Sequence, residues 1–189
     1  MTGLGLRSRL RRSLLGPRLG QIRLLVCDVD GVLTDGGLHY DEAGRVVKRF
    51  DVRDGLAIRM LQRAGLAVAL LSGGRSGAIE QRARHLQIRH CLVGVGDKLG
   101  ALQQLQAELE LECRQTAFIG DDLNDLTVRP AAGLLVAPAD AAHGLRRQAD
   151  WVLRRRGGDG AVRELAEALL QQRELWQTLN REGWREGNG

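Results

Sequence analysis

Six short runs rich in Leu, Val and Ile punctuate the chain, at residues 22–28, 66–72, 90–94, 115–120, 133–137 and, more weakly, 150–153. They are continuously apolar rather than alternating, which marks strands covered on both faces. The segments between them have helical period, as parallel strands require to return to the same end of a sheet. Ile79, Ala83 and Leu86 form one apolar stripe, Leu99, Leu102, Leu105 and Leu109 a second, and Val162, Leu165, Ala166, Leu169 and Leu170 a third. Such stripes are core-facing. The expected fold is therefore α/β, a three-layer parallel sheet between two layers of helices. Residues 36–50 alone break the pattern and read as two short strands around an Asp41-Glu42-Ala43-Gly44 turn, so a β-hairpin follows the first strand directly.

A chain of 189 residues, 43% of them hydrophobic, buries one ordinary core and leaves no room for a second full domain. The expected organisation is a basic arm over residues 1–21, one α/β domain over 22–170, and the end of a helix with a fraying polar tail over 171–189. No apolar run approaches the roughly 20 residues that span a bilayer, and Gly16-Pro17 cuts short the Leu14-Leu15 pair. Cys27, Cys91 and Cys113 are odd in number and lack CxxC spacing, which fits neither a disulfide framework nor a zinc site. The expectation is a cytoplasmic protein with no membrane partner.

The net charge of +5 raises the question of a nucleic-acid partner, and its location answers it. Residues 1–23 carry Arg7, Arg9, Arg11, Arg12, Arg18 and Arg23 with no acid, leaving 22 basic against 23 acidic residues elsewhere. The body is near neutral, so no nucleic acid is expected; deleting the arm would separate a nucleic-acid role from any activity of the body.

In an open parallel sheet, ligands bind outside the carboxyl ends of the strands. Four such ends here hold polar residues suited to one reaction: Asp28-Val29-Asp30-Gly31, Ser72-Gly73-Gly74, Asp97-Lys98, and Gly120-Asp121-Asp122-Leu123-Asn124-Asp125. Carboxylates two apart on extended chain face the same way, so Asp28 and Asp30 can address one phosphorus, one attacking and the other handling protons. Carboxylates and a phosphate dianion repel one another, which calls for a divalent cation; Asp121, with Asp122 or Asp125 in support, offers the hard oxygen ligands that magnesium takes. Ser72 and the amides of Gly73 and Gly74, expected to open a helix, would cradle an anion, and Lys98 would add positive charge at the transferring oxygens. Lys98 stands out because 26 of the 28 basic residues are Arg; the other lysine is Lys48. Each piece taken alone is ordinary loop, turn or surface chemistry, and the weight lies in their order at successive strand ends.

DVDGVLTDG at 28–36, LSG at 71–73, Lys98 and GDDLND at 120–125 resemble the four ordered motifs of the haloacid dehalogenase superfamily, whose Rossmann-like fold the strand pattern matches. Residues between the motifs are similar to those of the uncapped 3-deoxy-D-manno-octulosonate 8-phosphate phosphatase family: FDVRDG at 50–55, Arg59, Arg82, and ADWVLRRRGGDGAVREL at 149–165. The resemblance spans residues 22 to about 170 and makes that stretch a phosphatase domain. It implies Asp28 as nucleophile, Asp30 as acid/base lending its backbone carbonyl to Mg2+, and Asp121 as a metal ligand. It also implies substrate contacts from Asp51, Val52, Arg53, Asp54, Gly55, Arg59 and Arg82, together with Asp30, Ser72, Gly73, Gly74 and Lys98. The chain departs from that family in two places: Asp51 stands where Asn is usual, and Gly74 stands where Arg is usual, with Arg75 one position later. Flexibility at Gly73-Gly74 is expected to let Arg75 turn back toward the site; Arg53, Arg59 or Arg82 are its substitutes.

Neither gap between motifs holds a cap domain, since Asp30 to Ser72 is used by the hairpin, a helix at 54–64 and a strand, and Ser72 to Lys98 by one helix and one strand. The resemblance implies that a homotetramer closes the open site, with the hairpin and a Gly-rich segment of one subunit near the site of another. In this chain that segment holds Gly157, Gly158 and Gly160, for which a loop simply turning into the last helix is the equal alternative. The expected activity is magnesium-dependent hydrolysis of a phosphorylated sugar acid through an aspartyl phosphate. A related nine-carbon sugar-acid phosphate and a catalytically silent regulatory module are the rivals.

Overall fold

The computed structural model describes residues 15–75, 77–173 and 175–184. The arginine-rich arm up to residue 14 and the last five residues of the tail lie outside the described residues. In chain order the elements are α1 (Gly16–Gln21), β1 (Leu24–Cys27), β2 (His39–Tyr40), β3 (Val46–Val47), α2 (Val52–Arg63), β4 (Ala67–Leu71), α3 (Gly77–His85), β5 (His90–Leu92), α4 (Lys98–Glu108), β6 (Thr116–Ile119), β7 (Leu134–Ala137), α5 (His143–Gln148), β8 (Trp151–Val152), α6 (Ala161–Leu170) and α7 (Leu175–Glu182). Short 3-10 segments at Cys113–Gln115 and Leu123–Ala131 flank β6. All six apolar runs are strands of one parallel sheet in the order β5-β4-β1-β6-β7-β8, and β2 pairs β3 antiparallel as a separate hairpin.

Every residue of β1, β6 and β7 is buried because the two faces meet separate helix layers. Leu25, Cys27, Val68, Leu70, Ala117 and Ile119 point into the layer holding Ile58 and Leu61 of α2, Ile79 of α3 and Leu165 and Leu169 of α6. Leu24, Val26, Ala69, Leu71, Phe118 and Leu135 point the other way, against Leu102 and Leu105 of α4, Val128 of the 3-10 segment after β6 and Leu145 of α5. The period of two along each strand thus sorts one apolar run into two cores.

Three boundaries differ from expectation. The stretch assigned to the arm from Leu15 onward is α1, with Leu19 only 1% exposed and Arg18 bonded to Asp150, so it belongs to the domain. At the other end Trp176 and Leu179 of α7, and Trp184 just beyond it, pack against the core, so the packed domain continues past residue 170; the expected fraying concerned the tail, whose last five residues lie outside the described ones. Finally, α2 starts at Val52 because Asp51 caps it, its side chain accepting from the Arg53 amide at 2.7 Å. No described helix is long and apolar enough to cross a membrane.

Candidate active site

β1 lies between β4 and β6, with Cys27 level with Leu70 on one side and Ile119 on the other. The next residues of all three strands therefore converge, which brings Asp28 between the Ser72 and Asp121 loops at the place where chain connections diverge. Asp28, Asp30, Ser72, Gly73, Gly74, Lys98, Asp121 and Asp122 line one open cleft of about 580 Å³, joined by Gly36, Leu123 and Asn124.

Asp28 forms the floor, 5% exposed, its amide bonded to the Ile119 carbonyl at 2.9 Å. Lys98, the first residue of α4, is 4% exposed and sets its Nζ 3.3 Å from Asp28 Oδ1 and 2.6 Å from Asp125 Oδ1. Asp125 is fully buried and its other oxygen accepts from the amides of Asp121 (2.8 Å) and Asp122 (3.3 Å). Asp125 thus orients both Lys98 and the loop that carries Asp121. Gly31 has φ +78°, and a Cβ there would overlap the Asp121 carboxylate, so only glycine lets the first and fourth motif loops close on each other.

The charges show what the cleft is built to hold. Burial, and then the Asp125 charge, raise Asp28 to about 6 against the opposing pull of Lys98. Burial, and then Asp28, Asp125 and Asp122, raise Asp121 to about 7. Burial alone would depress the Lys98 ammonium, but Asp28 and Asp125 outweigh it and the net shift is upward. One lysine thus leaves negative charge unbalanced, which a divalent cation would neutralise. One oxygen each of Asp28, Asp121 and Asp125 lie within 4.8 Å of one another, so the donor set fits a hard cation. Both Asp125 oxygens are engaged, one by Lys98 and the other by two backbone amides, so Asp28 and Asp121 are the carboxylates that would hold such a cation.

The second-motif loop differs from expectation. Helix α3 begins at Gly77, so Gly73 and Gly74 lie in the loop before it rather than in its first turn. The Gly74 amide donates to Ser72 Oγ at 3.1 Å, and Gly94 and Val95 bond back to the carbonyls of Gly74 and Ser72 at 3.0 Å each. Arg75 does not turn into the cleft. Its side chain packs over Gly94, where an added Cβ would come within 2.5 Å of Arg75 Nε, and it borders a separate depression with Glu80 and Val93. The backbone bonds of residues 72–74 hold the loop in the path that sends Arg75 outward.

The structure also separates the set of substrate contacts that the resemblance implied, since Asp51, Val52, Arg53, Asp54, Gly55, Arg59 and Arg82 do not line the cleft. Arg53 is bonded to Asp51 and to Asp159, and Arg82 donates to the Asp51 carbonyl at 3.0 Å, in space that exists because residue 55 lacks a Cβ. Asp54 is 1% exposed and accepts from the amides of Arg163 (2.7 Å) and Gly160 (3.3 Å), capping α6 from another element. With its oxygens engaged there, Asp54 is unavailable to a ligand in this chain's own cleft. Val52 is 79% exposed on the outer surface.

The glycines before α6 serve a third purpose beyond the two expected. A Cβ on Gly157 would overlap the Gly31 carbonyl and one on Gly158 would come within 2.5 Å of the Asp35 amide, while the Gly158 amide donates to the Val32 carbonyl at 2.9 Å. They clasp the chain's own first-motif loop. Lys48 was not placed in the site from sequence, yet it reaches from the hairpin to pair with Asp30. The available signal was the rarity of lysine: both lysines of the chain contact first-motif aspartates.

Residues 95–165 match the family model of the haloacid dehalogenase-like hydrolases. The chain is 45% identical over 153 residues to the 3-deoxy-D-manno-octulosonate 8-phosphate phosphatase of Yersinia pestis, covering 81% of this chain and 82% of that one. It is 43% identical over 154 residues to the same phosphatase of Haemophilus influenzae, covering 82% and 86%. Among solved structures, that of the Moraxella catarrhalis phosphatase in complex with a magnesium ion, a phosphate ion and a KDO molecule superposes with a TM-score of 0.86 at 34% identity, covering 89% of this chain and 97% of that one. With the ordered motifs gathered at one end of the sheet and identity sustained over four-fifths of both sequences, the chain belongs to the 3-deoxy-D-manno-octulosonate 8-phosphate phosphatase family.

Proposed function

We propose that the protein hydrolyses 3-deoxy-D-manno-octulosonate 8-phosphate to the free sugar acid and inorganic phosphate. The observation that carries this reading is Asp28 at the floor of the cleft, with Lys98 on one of its oxygens and Asp30, Ser72 and Asp121 around the space above it. A free Asp28 oxygen attacks phosphorus as the bond to the sugar oxygen breaks, and Asp30 delivers its proton to that oxygen. Asp30 then takes a proton from the water that attacks the aspartyl phosphate, which returns Asp28 and releases phosphate. Lys98 balances charge on the transferring oxygens, and the buried Ser72 hydroxyl sits where it can bond to one of them. Magnesium, held by Asp28, Asp121 and the Asp30 carbonyl, would supply charge neutralisation between the nucleophile and the phosphoryl group.

The test is phosphate release from a panel of phosphorylated sugars and sugar acids with magnesium. The eight-carbon acid should be preferred, and Asp28→Asn should fall below a hundredth of wild-type turnover with the fold intact. Preference for a nine-carbon acid would reassign the substrate, and no turnover of any ester would favour the silent regulatory module.

The site is open, and its surroundings carry exposed apolar side chains: Leu38, Tyr40 and Val47 of the hairpin region at 52%, 66% and 55%, Val52 at 79%, and Leu123 at 57% on the cleft itself. Self-association as a homotetramer would cover them and exclude water from the cleft, and it would give Val52, Arg53, Arg59 and Arg82 a role at a neighbour's site. Light scattering at working concentration should report a tetramer; a fully active monomer would refute this. Three free cysteines accord with a reducing, cytoplasmic location.

A further inference from the structure

Lys48 is a cation in direct contact with Asp30 that the roles above leave unused. It follows β3, where Val46 pairs Tyr40 and Val47 pairs His39. Alternation along the strand turns Val47 outward, 55% exposed, and Lys48 inward. Its side chain is 3% exposed and its Nζ pairs with Asp30 Oδ1, whereas the Asp30 side chain remains 34% exposed. An ammonium withdrawn from water this far is costly unless paired, so the hairpin register commits Lys48 to Asp30. The next residue reinforces the placement, since Arg49 donates to the Gly158 carbonyl at 3.1 Å, on the segment that clasps the first-motif loop.

The geometry also distinguishes the two oxygens of Asp30. Oδ1 is taken by Lys48. Oδ2 points across the cleft, 3.0 Å from where a Cβ on Gly74 would stand, toward the second-motif loop and Ser72. A half-exposed carboxylate without a fixed partner samples several rotamers, and only some of them aim a proton at the ester oxygen. We propose that Lys48 is a positioning residue for proton transfer: by holding Oδ1 it presents Oδ2 of Asp30 to the leaving oxygen, which ties the hairpin to the chemistry within one subunit. This rests on the reading of Asp30 as the general acid.

The experiment compares kcat/KM of Lys48→Met for two esters at saturating magnesium, an alkyl phosphate (the sugar-acid phosphate) and p-nitrophenyl phosphate. The alkoxide leaving group needs a proton, and the nitrophenolate departs without one. A positioned acid is worth about 10²–10⁴-fold, so misaiming it should lower kcat/KM for the alkyl ester at least about 30-fold. The aryl ester should change less than about fivefold, and KM for the alkyl ester less than about threefold. Retained kcat/KM of the aryl ester, which covers only the steps up to nitrophenolate release and so excludes the later activation of water by Asp30, reports in the same assay that fold and metal site are intact. Lys48→Gln, which keeps donors without the charge, should fall between the two and serves if the methionine variant does not fold. Asp30→Asn must show the same leaving-group selectivity. If it does and Lys48→Met loses both esters equally, or neither, the proposal for Lys48 is overturned and the role of Asp30 stands. If Asp30→Asn itself loses both esters equally, Asp30 is not the acid and the proposal falls with it.

Discussion

The sharpest physical test away from the chemistry is Asp54→Asn. Asp54 sits 1% exposed between α2 and α6, and burial, its largest influence, raises it from its ordinary 3.8 to about 6 against the amide bonds from Arg163 and Gly160. In that interval the folded state binds the proton that the unfolded state has released, so the unfolded state binds fewer protons and stability falls as pH rises. The stability associated with Asp54 is fully present below about pH 4 and is lost as pH rises through about 6. Integrated from about pH 4.5 to about pH 8, the loss comes to about 2 kcal/mol. Asparagine cannot titrate, and its amide oxygen can still accept from Arg163, although its NH2 then faces the Gly160 amide at a cost of about 1–2 kcal/mol at every pH. Urea unfolding of both proteins at equal concentration across that range isolates the effect, because other titrating groups cancel in the difference. The stability of Asp54→Asn relative to wild type should rise by about 2 kcal/mol toward high pH. A difference that stays flat, or falls, would show that the two amides and the start of α6 hold Asp54 ionised more strongly than burial opposes it, and the reasoning would fail.

Asp121→Asn removes one of the two carboxylates proposed to hold the metal and should raise the magnesium concentration for half-maximal activity more than about tenfold, read by metal titration after chelation has abolished wild-type activity; an unchanged titration would remove Asp121 from the metal site. Gly157→Ala places a Cβ on the Gly31 carbonyl and should cost about 1–3 kcal/mol by urea unfolding, with reduced turnover because the displaced loop carries Asp30. Unchanged stability and turnover would show that the clasp yields without consequence.

The chain's order of apolar runs was sufficient for the parallel sheet, because a strand buried on both faces must be apolar throughout, whatever it packs on. The same holds for Asp28, Ser72, Lys98 and Asp121: each closes or follows a strand, and every such position in a parallel sheet shares one end of it. What sequence could not decide was which neighbours those residues and their flanks would meet. Asp54 and Gly55 follow the hairpin in a stretch that reads as substrate contact, yet Asp54 caps a helix more than a hundred residues away and Gly55 makes room for Arg82. Arg75 stands one residue from the position expected to reach the cleft, and backbone bonds at 72–74, formed with a loop twenty residues on, turn it outward. Lys48 lies eighteen residues from Asp30 with no periodic relation to it, and only the antiparallel register of a two-residue hairpin carries it there. Local pattern records whether a position is apolar, extended or at an element's end, and that determined the fold and the floor of the site. Long-range pairing of polar groups leaves no period in the chain, so the cap on α6, the path of Arg75 and the partner of Asp30 were decided only when the tertiary structure brought distant segments together.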